Sequence, residues 1–427
     1  MTTDGTDALK AVEEAARAAR GTVADLAGVP AERLDQALRG IADSLGHRSG
    51  PVLAANEADM VAAREAGLGG GLLDRLRLDE ARLEAIAGQL LALADVPYES
   101  AERVVRELPG GLVLTERRRP VGVIGANFEA RPNVVVDIAS QFVKSRNAGV
   151  LRTGSAAIRS AVALADEVIA PALAGAGLDP AMIQLVRVPG QESARALVSQ
   201  PGLIPLVILR GSGDSTRSLA AEAARHGVRT MAHADGGAVL YVDAAADLAL
   251  AEQLIEASLD RLGVCNRLNL LLVQRGRWDE TVPLVTALAA QLGIAVSLPP
   301  HGHPLGHEWA LDAGAEATIT VAPAAGPQDA AEIANRETSG LAASIVTADE
   351  VAAERFLDSY SGTGAFWNST PRLLDGFTLL SVPETGINID VVPGPRGPVT
   401  FRDLYLRQYV VVPAGTALAA GPARQAG

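Results

Sequence analysis

The chain has 427 residues, too many for one hydrophobic core, so two or three domains are expected. Apolar residues make up 48% and charged residues 20%, the balance of a folded chain and not of a disordered one. The net charge of −13 excludes a general nucleic-acid binder, and the single cysteine excludes an intramolecular disulfide and fits a reducing, cytoplasmic setting.

Residues 1–7 are polar and no run of eighteen apolar residues occurs, so neither a secretory leader nor a membrane span is expected. Apolar residues at helical spacing mark residues 8–27, 30–45, 57–66 and 79–93 as helices. Residues 102–114, broken by Pro109, Gly110 and Gly111, read as a strand pair with a tight turn. The basic run Arg117, Arg118 and Arg119 reads as a solvated strand edge, where charge blocks unwanted pairing. Short apolar strands then alternate with helices. Strands are expected at 121–125, 147–151, 183–188 and 206–209, and helices at 132–144, 155–174, 191–199 and 214–226. That alternation predicts a parallel, doubly wound sheet, which binds ligands at the carboxyl ends of its strands where the strand order reverses.

A second alternating block runs over 248–373. It holds helices at 249–262 and 280–292 and strands at 268–273, 294–297, 317–321, 343–346 and 364–367, with 301–307 and 322–328 as loops. Residues 404–412 form a final strand, whose apolar edge favours a homo-oligomer.

Cys265 lies at the junction between the helix expected at 249–262 and the strand at 268–273. A thiol there is either a small buried hydrophobe or a nucleophile that points into a cleft. The first block bears on the choice. Leu151, Arg152, Thr153, Gly154 and Ser155 bridge a strand and a helix, where free N–H groups, a hydroxyl and a guanidinium fork suit phosphate oxygens. Leu209, Arg210, Gly211, Ser212, Gly213 and Asp214 repeat the device after the next strand. Neither is a full G-x-G-x-x-G, but two in one sheet point to a dinucleotide cofactor. Cys265 facing that cofactor suits one chemistry: thiolate attack on an activated carboxyl group, then hydride reduction of the thioester to an aldehyde. The backbone N–H of Cys265 and the amide of Asn133 are candidate oxyanion donors. His301, His303 and His307 read as a surface loop and not a metal site.

Further motifs accompany these residues: Asp74 to Leu78, Phe128 to Asn133, Lys144 with Ser145, His233 to Gly236, Gly263 to Asn266, Asn368 to Thr370 with Arg372, Glu384 to Ile387, and Arg396 to Pro398. Together they resemble the gamma-glutamyl phosphate reductase (glutamate-5-semialdehyde dehydrogenase) family of the aldehyde dehydrogenase superfamily, over about residues 8–412. The resemblance implies an α/β, aldehyde dehydrogenase-like fold in three parts. Residues 1–101 and 121–246 would form an NADP-binding Rossmann-like domain, 247–385 the catalytic domain, 102–120 and 386–415 a strand extension for oligomerisation, and 416–427 a disordered tail. It implies NADPH-dependent reduction of L-glutamyl 5-phosphate to the semialdehyde, with Cys265 as nucleophile and Asn133 and Asn266 beside it. Arg152, Thr153, Gly154, Ser155, Gly211, Ser212, Gly213 and Glu384 would meet the cofactor, and Glu129, Arg131, His233, Asp235 and Arg396 the substrate. An acyl kinase of the glutamate 5-kinase type would supply that substrate.

Aldehyde-oxidising relatives carry a glutamate base in a Glu-Leu-Gly-Gly stretch. Here the region 232–237 holds no glutamate, which favours reduction over thioester hydrolysis. Other positions depart from the family pattern. Asn269 stands where the family has glutamate after the cysteine motif, Leu341, Ala342 and Ala343 replace a His-Thr-Asp segment, and Pro393 falls in an altered tail motif. These changes keep two alternatives open: an acyl-thioester reductase or aldehyde dehydrogenase acting on a different substrate in specialised metabolism, and a non-catalytic paralogue that partners an acyl kinase.

Overall fold

The computed structural model describes residues 3–416, apart from Ser212, Ala234, Asp235, Ala313 and residues 391–395. Five helices lead the chain: α1 (Thr3–Leu26), α2 (Ala31–His47), α3 (Ser49–Glu65), α4 (Gly70–Leu76) and α5 (Glu80–Asp95). On α2, Leu34, Leu38, Ile41 and Leu45 recur every three or four residues and are buried, the apolar stripe that seats the helix. The hairpin β1 (Glu102–Leu108) and β2 (Leu112–Pro120) turns at Gly110 and Gly111, both at positive φ.

The first sheet follows: β3 (Val123–Phe128), α6 (Asn133–Lys144), β4 (Ala148–Thr153), α7 (Ile158–Ala163), α8 (Ala170–Gly175), β5 (Ile183–Leu185), α9 (Gln191–Leu197), β6 (Leu206–Arg210), α10 (Gly213–His226) and β7 (Arg229–His233). The strand order is β5-β4-β3-β6-β7 and every pairing is parallel. All residues of β3 and β4 are buried, as strands covered on both faces must be. The chain winds outward from β3 on one side and resumes at β6 on the other. The carboxyl ends of β3 and β6 therefore flank the point where the strand order reverses.

The second sheet takes β8 (Ala238–Val242), α11 (Leu248–Ala257), β9 (Leu268–Gln274), α12 (Trp278–Gln291), β10 (Ala295–Ser297), β11 (Thr318–Ala324), α13 (Pro327–Glu337), β12 (Ala342–Val346), α14 (Glu350–Ser359) and β13 (Gly364–Trp367). Its order is β10-β11-β9-β8-β12-β13, again parallel throughout. Then come α15 (Gly376–Leu380), β14 (Gly386–Asn388), β15 (Gly397–Val399) and β16 (Tyr405–Pro413).

Several expectations need correction. The sheets change between β7 and β8, before residue 246, because β8 pairs with β9 and β12. The strand extension is narrower than 386–415. β16 pairs with β2, but β14 and β15 pair with each other and lie on the first sheet, where Ile387 and Ile389 are buried and the Ile387 N–H donates to His233. The arginine run is no edge: β2 is the central strand between β1 and β16, and Arg117 Nε donates across to Glu102 at 2.8 Å. Residues 322–328 are not a loop, since β11 runs to Ala324 and α13 starts at Pro327. Pro393, like Ser212 and Asp235, lies outside the described residues. Among the described residues no helix is long and apolar enough to cross a membrane.

Candidate active site

α11 stops at Ala257, short of the expected residue 262, and β9 starts at Leu268. The segment between them makes the turn that carries Cys265, with Gly263 at φ 77°. Three neighbouring segments hold this turn. The Gly237 N–H donates to the Cys265 carbonyl at 2.7 Å. Arg75, just ahead of Leu76 at the end of α4, donates from Nε to the Gly263 carbonyl. Asn56 on α3 fixes that arginine's neighbourhood, because its amide bonds the Leu76 carbonyl at 2.8 Å and the Leu78 N–H at 2.7 Å. Asn266 donates to the carbonyls of Arg372 and Leu374, each at 3.0 Å, and accepts from the Arg372 guanidinium.

The thiol, half-buried, packs at the rim of an apolar cluster made by Ala238, Leu341, Ala342, Leu374, Ile387 and Ile389. Beyond it opens a cleft of about 370 Å³ between the two sheets. Arg75, Arg131, Asn133, Asp137, Arg210, Arg372, Asp375 and Glu384 share its lining with Cys265. Burial pushes the Cys265 thiol up, and the guanidiniums of Arg131, Arg210 and Arg75 pull against that push. Burial also lowers Arg131, and the nearby charges of Arg210 and Arg75 add to the effect. Arg75, Arg131, Arg210 and Arg372 share the cleft with Asp137, Asp375 and Glu384, and because burial draws Asp137 and Glu384 toward their protonated forms the balance favours an anionic ligand.

The acids of the cleft respond in the opposite sense. Burial pushes Asp137 up to about 7, although Arg210 and the Asn133 amide, 3.0 Å away, oppose it. Burial also pushes Glu384 up to about 7, against Arg210 and the Gly376 N–H that its Oε2 accepts at 2.9 Å. Ordinary carboxyls in an unfolded chain titrate near ~4. A raised folded value means the native state holds the extra protons. The stability this contributes is fully present below about pH 4 and lost as pH rises through about 7. The urea midpoint is therefore expected to fall between pH 6 and pH 8, and the fall should shrink in the double variant Asp137→Asn, Glu384→Gln. An unchanged pH slope in that variant would remove these two groups as its source.

The residues expected at the cofactor cluster at the strand ends of the first sheet, and Glu129, expected at the substrate, stands among them and not in the lining of the cleft. Glu129 follows β3 and accepts from Ser215 Oγ at 3.0 Å. Gly211 follows β6, and a Cβ there would sit 3.0 Å from the Glu129 carboxyl carbon, so only glycine fits without displacing that side chain. Gly213 opens α10, a helix of 14 residues whose N-terminus faces the reversal point. Arg152, on β4, is buried and turned inward: it donates to Asn127 Oδ1 at 2.9 Å, Ser193 Oγ at 3.1 Å and the Gly190 carbonyl at 2.5 Å. Thr153 Oγ1 is buried without a partner, while Ser155 is exposed.

Besides Glu129, two more residues expected at the substrate lie elsewhere. His233, at the end of β7, is buried; burial holds it well below the usual imidazole range, so it is neutral and accepts the Ile387 N–H at 3.2 Å. Arg396 does not line the cleft. It ties the Ile389 carbonyl, at 2.8 Å, to the Ser361 carbonyl. The residues that sequence reasoning did not name as site residues are Arg75, Asp137, Arg210, Arg372 and Asp375.

The chain matches the aldehyde dehydrogenase family over residues 3–301. It is 37% identical over 409 residues to a gamma-glutamyl phosphate reductase of Chloroflexus aurantiacus, covering 92% of this chain and 96% of that relative. It is 34% identical over 420 residues to a gamma-glutamyl phosphate reductase of Clavibacter michiganensis, covering 96% and 95%. The solved structure of a gamma-glutamyl phosphate reductase from Thermotoga maritima aligns with a TM-score of 0.84 at 25% identity, over 95% of this chain and 99% of that one.

Proposed function

We propose the activity from one premise: the chain belongs to the aldehyde dehydrogenase family and, within it, to the gamma-glutamyl phosphate reductases. It reduces L-glutamyl 5-phosphate, or a closely related acyl phosphate, to the semialdehyde with release of phosphate, a step of proline biosynthesis. The observation that carries the reading is the convergence of Arg75, Arg131 and Arg210 on Cys265 in one cleft. An acyl phosphate brings an anion to those cations, on the carbon a thiolate attacks.

The Cys265 thiolate forms a C–S bond to the acyl carbon, and the C–O bond to phosphate breaks, so phosphate leaves with that electron pair. The Cys265 N–H and the second amide hydrogen of Asn133 stabilise the oxyanion, the first being held by Asp137. Asn266 acts by position, since both of its amide hydrogens are already on backbone carbonyls. A nicotinamide cofactor, when bound, supplies hydride to the acyl carbon and so frees the aldehyde and the thiolate. The residues at the reversal point fit such a group. Gly211 and Gly213 give backbone access at the start of α10, Glu129 can accept from ribose hydroxyls, and Thr153 Oγ1 has no partner in the protein. NADPH is the cofactor of this reading: Gly154 and the exposed Ser155, just after β4, are accessible to an adenosine phosphate, and Glu384 lines the cleft with the thiol.

A half-buried nucleophilic thiol suits a reducing compartment such as the cytoplasm. The exposed apolar residues Val104, Leu406, Tyr409 and Val411 on the β1-β2-β16 sheet support a homo-oligomer.

The test is NADPH absorbance with a glutamate 5-kinase and ATP generating the acyl phosphate in place. Kinase-dependent NADPH loss is expected, with NADH slower. Turnover of an acyl thioester but not of the acyl phosphate would overturn the substrate assignment.

A further inference from the structure

We propose that Glu308 positions the Cys265 nucleophile: clasped by Asn269, its carboxylate holds the Gly236–Gly237 backbone against the carbonyl side of the cysteine turn. The proposal rests on the reading of Cys265 as the nucleophile. Region 232–237 supplies no glutamate of its own, yet a carboxylate reaches it from the segment between β10 and β11. Glu308 Oε1 accepts the Gly236 N–H at 3.1 Å. The next N–H, that of Gly237, donates to the Cys265 carbonyl at 2.7 Å. The packing leaves no slack: a Cβ on Gly236 would stand 2.7 Å from Glu308 Oε1, 2.8 Å from the Cys265 carbonyl oxygen and 2.9 Å from the Cys265 Cα. Glu308 and the cysteine backbone thus both crowd the face of Gly236 that a side chain would occupy.

The loop that delivers Glu308 is anchored on both flanks. Asn269 Nδ2 donates to the His307 carbonyl at 2.8 Å, and Asn269 Oδ1 accepts the Trp309 N–H at 3.3 Å. Trp309 Nε1 donates to Thr320 Oγ1 at 3.0 Å on β11, and His307 Nε2 meets Asp312 Oδ2 at 2.6 Å. Ser339 Oγ donates to the Gly236 carbonyl at 3.0 Å, which closes the frame. Asn269 is the position where the related family carries glutamate. In this chain the amide at 269 grips the loop, and the carboxylate comes from Glu308. Arg75 is drawn toward both Cys265 and Glu308, so the same guanidinium flanks nucleophile and clasp. The other charges facing the thiol are Arg131, Arg210 and Glu384.

The test compares wild type, Glu308→Ala, Glu308→Gln and Asn269→Ala by two readouts. The first is the second-order rate of Cys265 alkylation by iodoacetamide, which needs neither substrate nor cofactor. The second is kcat and KM for the acyl phosphate. A nucleophile displaced by about 1 Å loses on the order of 10²-fold in rate. Glu308→Ala is expected to slow alkylation and kcat by roughly 10- to 100-fold with KM unchanged. Glu308→Gln keeps an acceptor for the Gly236 N–H and should stay within about threefold of wild type. Asn269→Ala should resemble Glu308→Ala. Wild-type rates in Glu308→Ala would overturn the proposal. So would a Glu308→Gln as slow as Glu308→Ala, because charge or proton transfer would then be the role. An altered alkylation series in a protein that does not turn over the acyl phosphate would support the clasp while sinking the substrate assignment. An inert wild-type thiol would overturn both.

Discussion

Cys265→Ala is expected to lower turnover of the acyl phosphate by at least ~10³-fold while leaving the fold intact. No second thiol exists to take over, since the chain has one cysteine. The lost group is a single sulfur at the rim of the Leu341, Leu374 and Ile387 cluster, and the side chain is already half exposed to the cleft. Removing it opens little new cavity, so the loss of stability should stay within about 1 kcal/mol. Cys265→Ser should be nearly as inactive, because a hydroxyl under the same burial is far harder to ionise than a thiol. The measurements are NADPH absorbance for kcat and a urea melt for stability. Residual turnover above a tenth of wild type, with an unchanged melt, would remove the covalent route and leave the thiol a packing residue.

The position of Cys265 was legible in the sequence because it depends on local order: a helix, a glycine turn and a strand, each with its own pattern. Of the arginines around it, only Arg131 was named at the site, through the family resemblance. Arg75 arrives on α4, Arg131 ahead of α6, Arg210 at the end of β6 and Arg372 after β13, so only the tertiary fold makes them neighbours. Two signals were present and unread. Asp137 sits among the buried Val134, Val135, Val136 and Ile138 on α6, and a carboxylate there needs a reason. Arg210 closes a parallel strand at its carboxyl end, where ligands bind, so it marks the cleft as much as the glycines after it mark the turn.

Arg152 shows the converse error of emphasis. A guanidinium at a strand end suits a phosphate in the abstract, but Asn127, Ser193 and Gly190 already engage this one. β7, α13 and α14 escaped the pattern for a different reason: polar residues and alanine blur the apolar period on short elements. Their caps were the better signal, as Pro327 after Gly326 opens α13 and Asp349 accepts the Val351 N–H to open α14. Glu308 had no sequence signal at all, since its partner Gly236 lies on the far side of β8, α11, β9, α12 and β10.

Arg131→Met is expected to cost roughly 10²- to 10³-fold in kcat/KM, the range for removing a preorganised charge from a reacting centre. Three effects point the same way. Arg131 is the first-ranked charge opposing the burial of the Cys265 thiol, so its loss leaves the thiol still harder to ionise. It also pulls down Asp137, so that carboxyl should rise further above its ordinary value. Finally, a planar fork facing an acyl phosphate is replaced by an apolar chain of similar length. The pH profile of Cys265 alkylation separates these effects from simple loss of substrate affinity, because it needs no substrate. In Arg131→Met the profile should move to higher pH, since a cation that favours the thiolate has gone. Arg131→Lys keeps a point charge but not the fork. It should restore most of the alkylation profile and much less of kcat/KM. If the profile of Arg131→Met overlays that of wild type while kcat/KM falls, Arg131 serves the substrate alone and Arg210 and Arg75 carry the thiol.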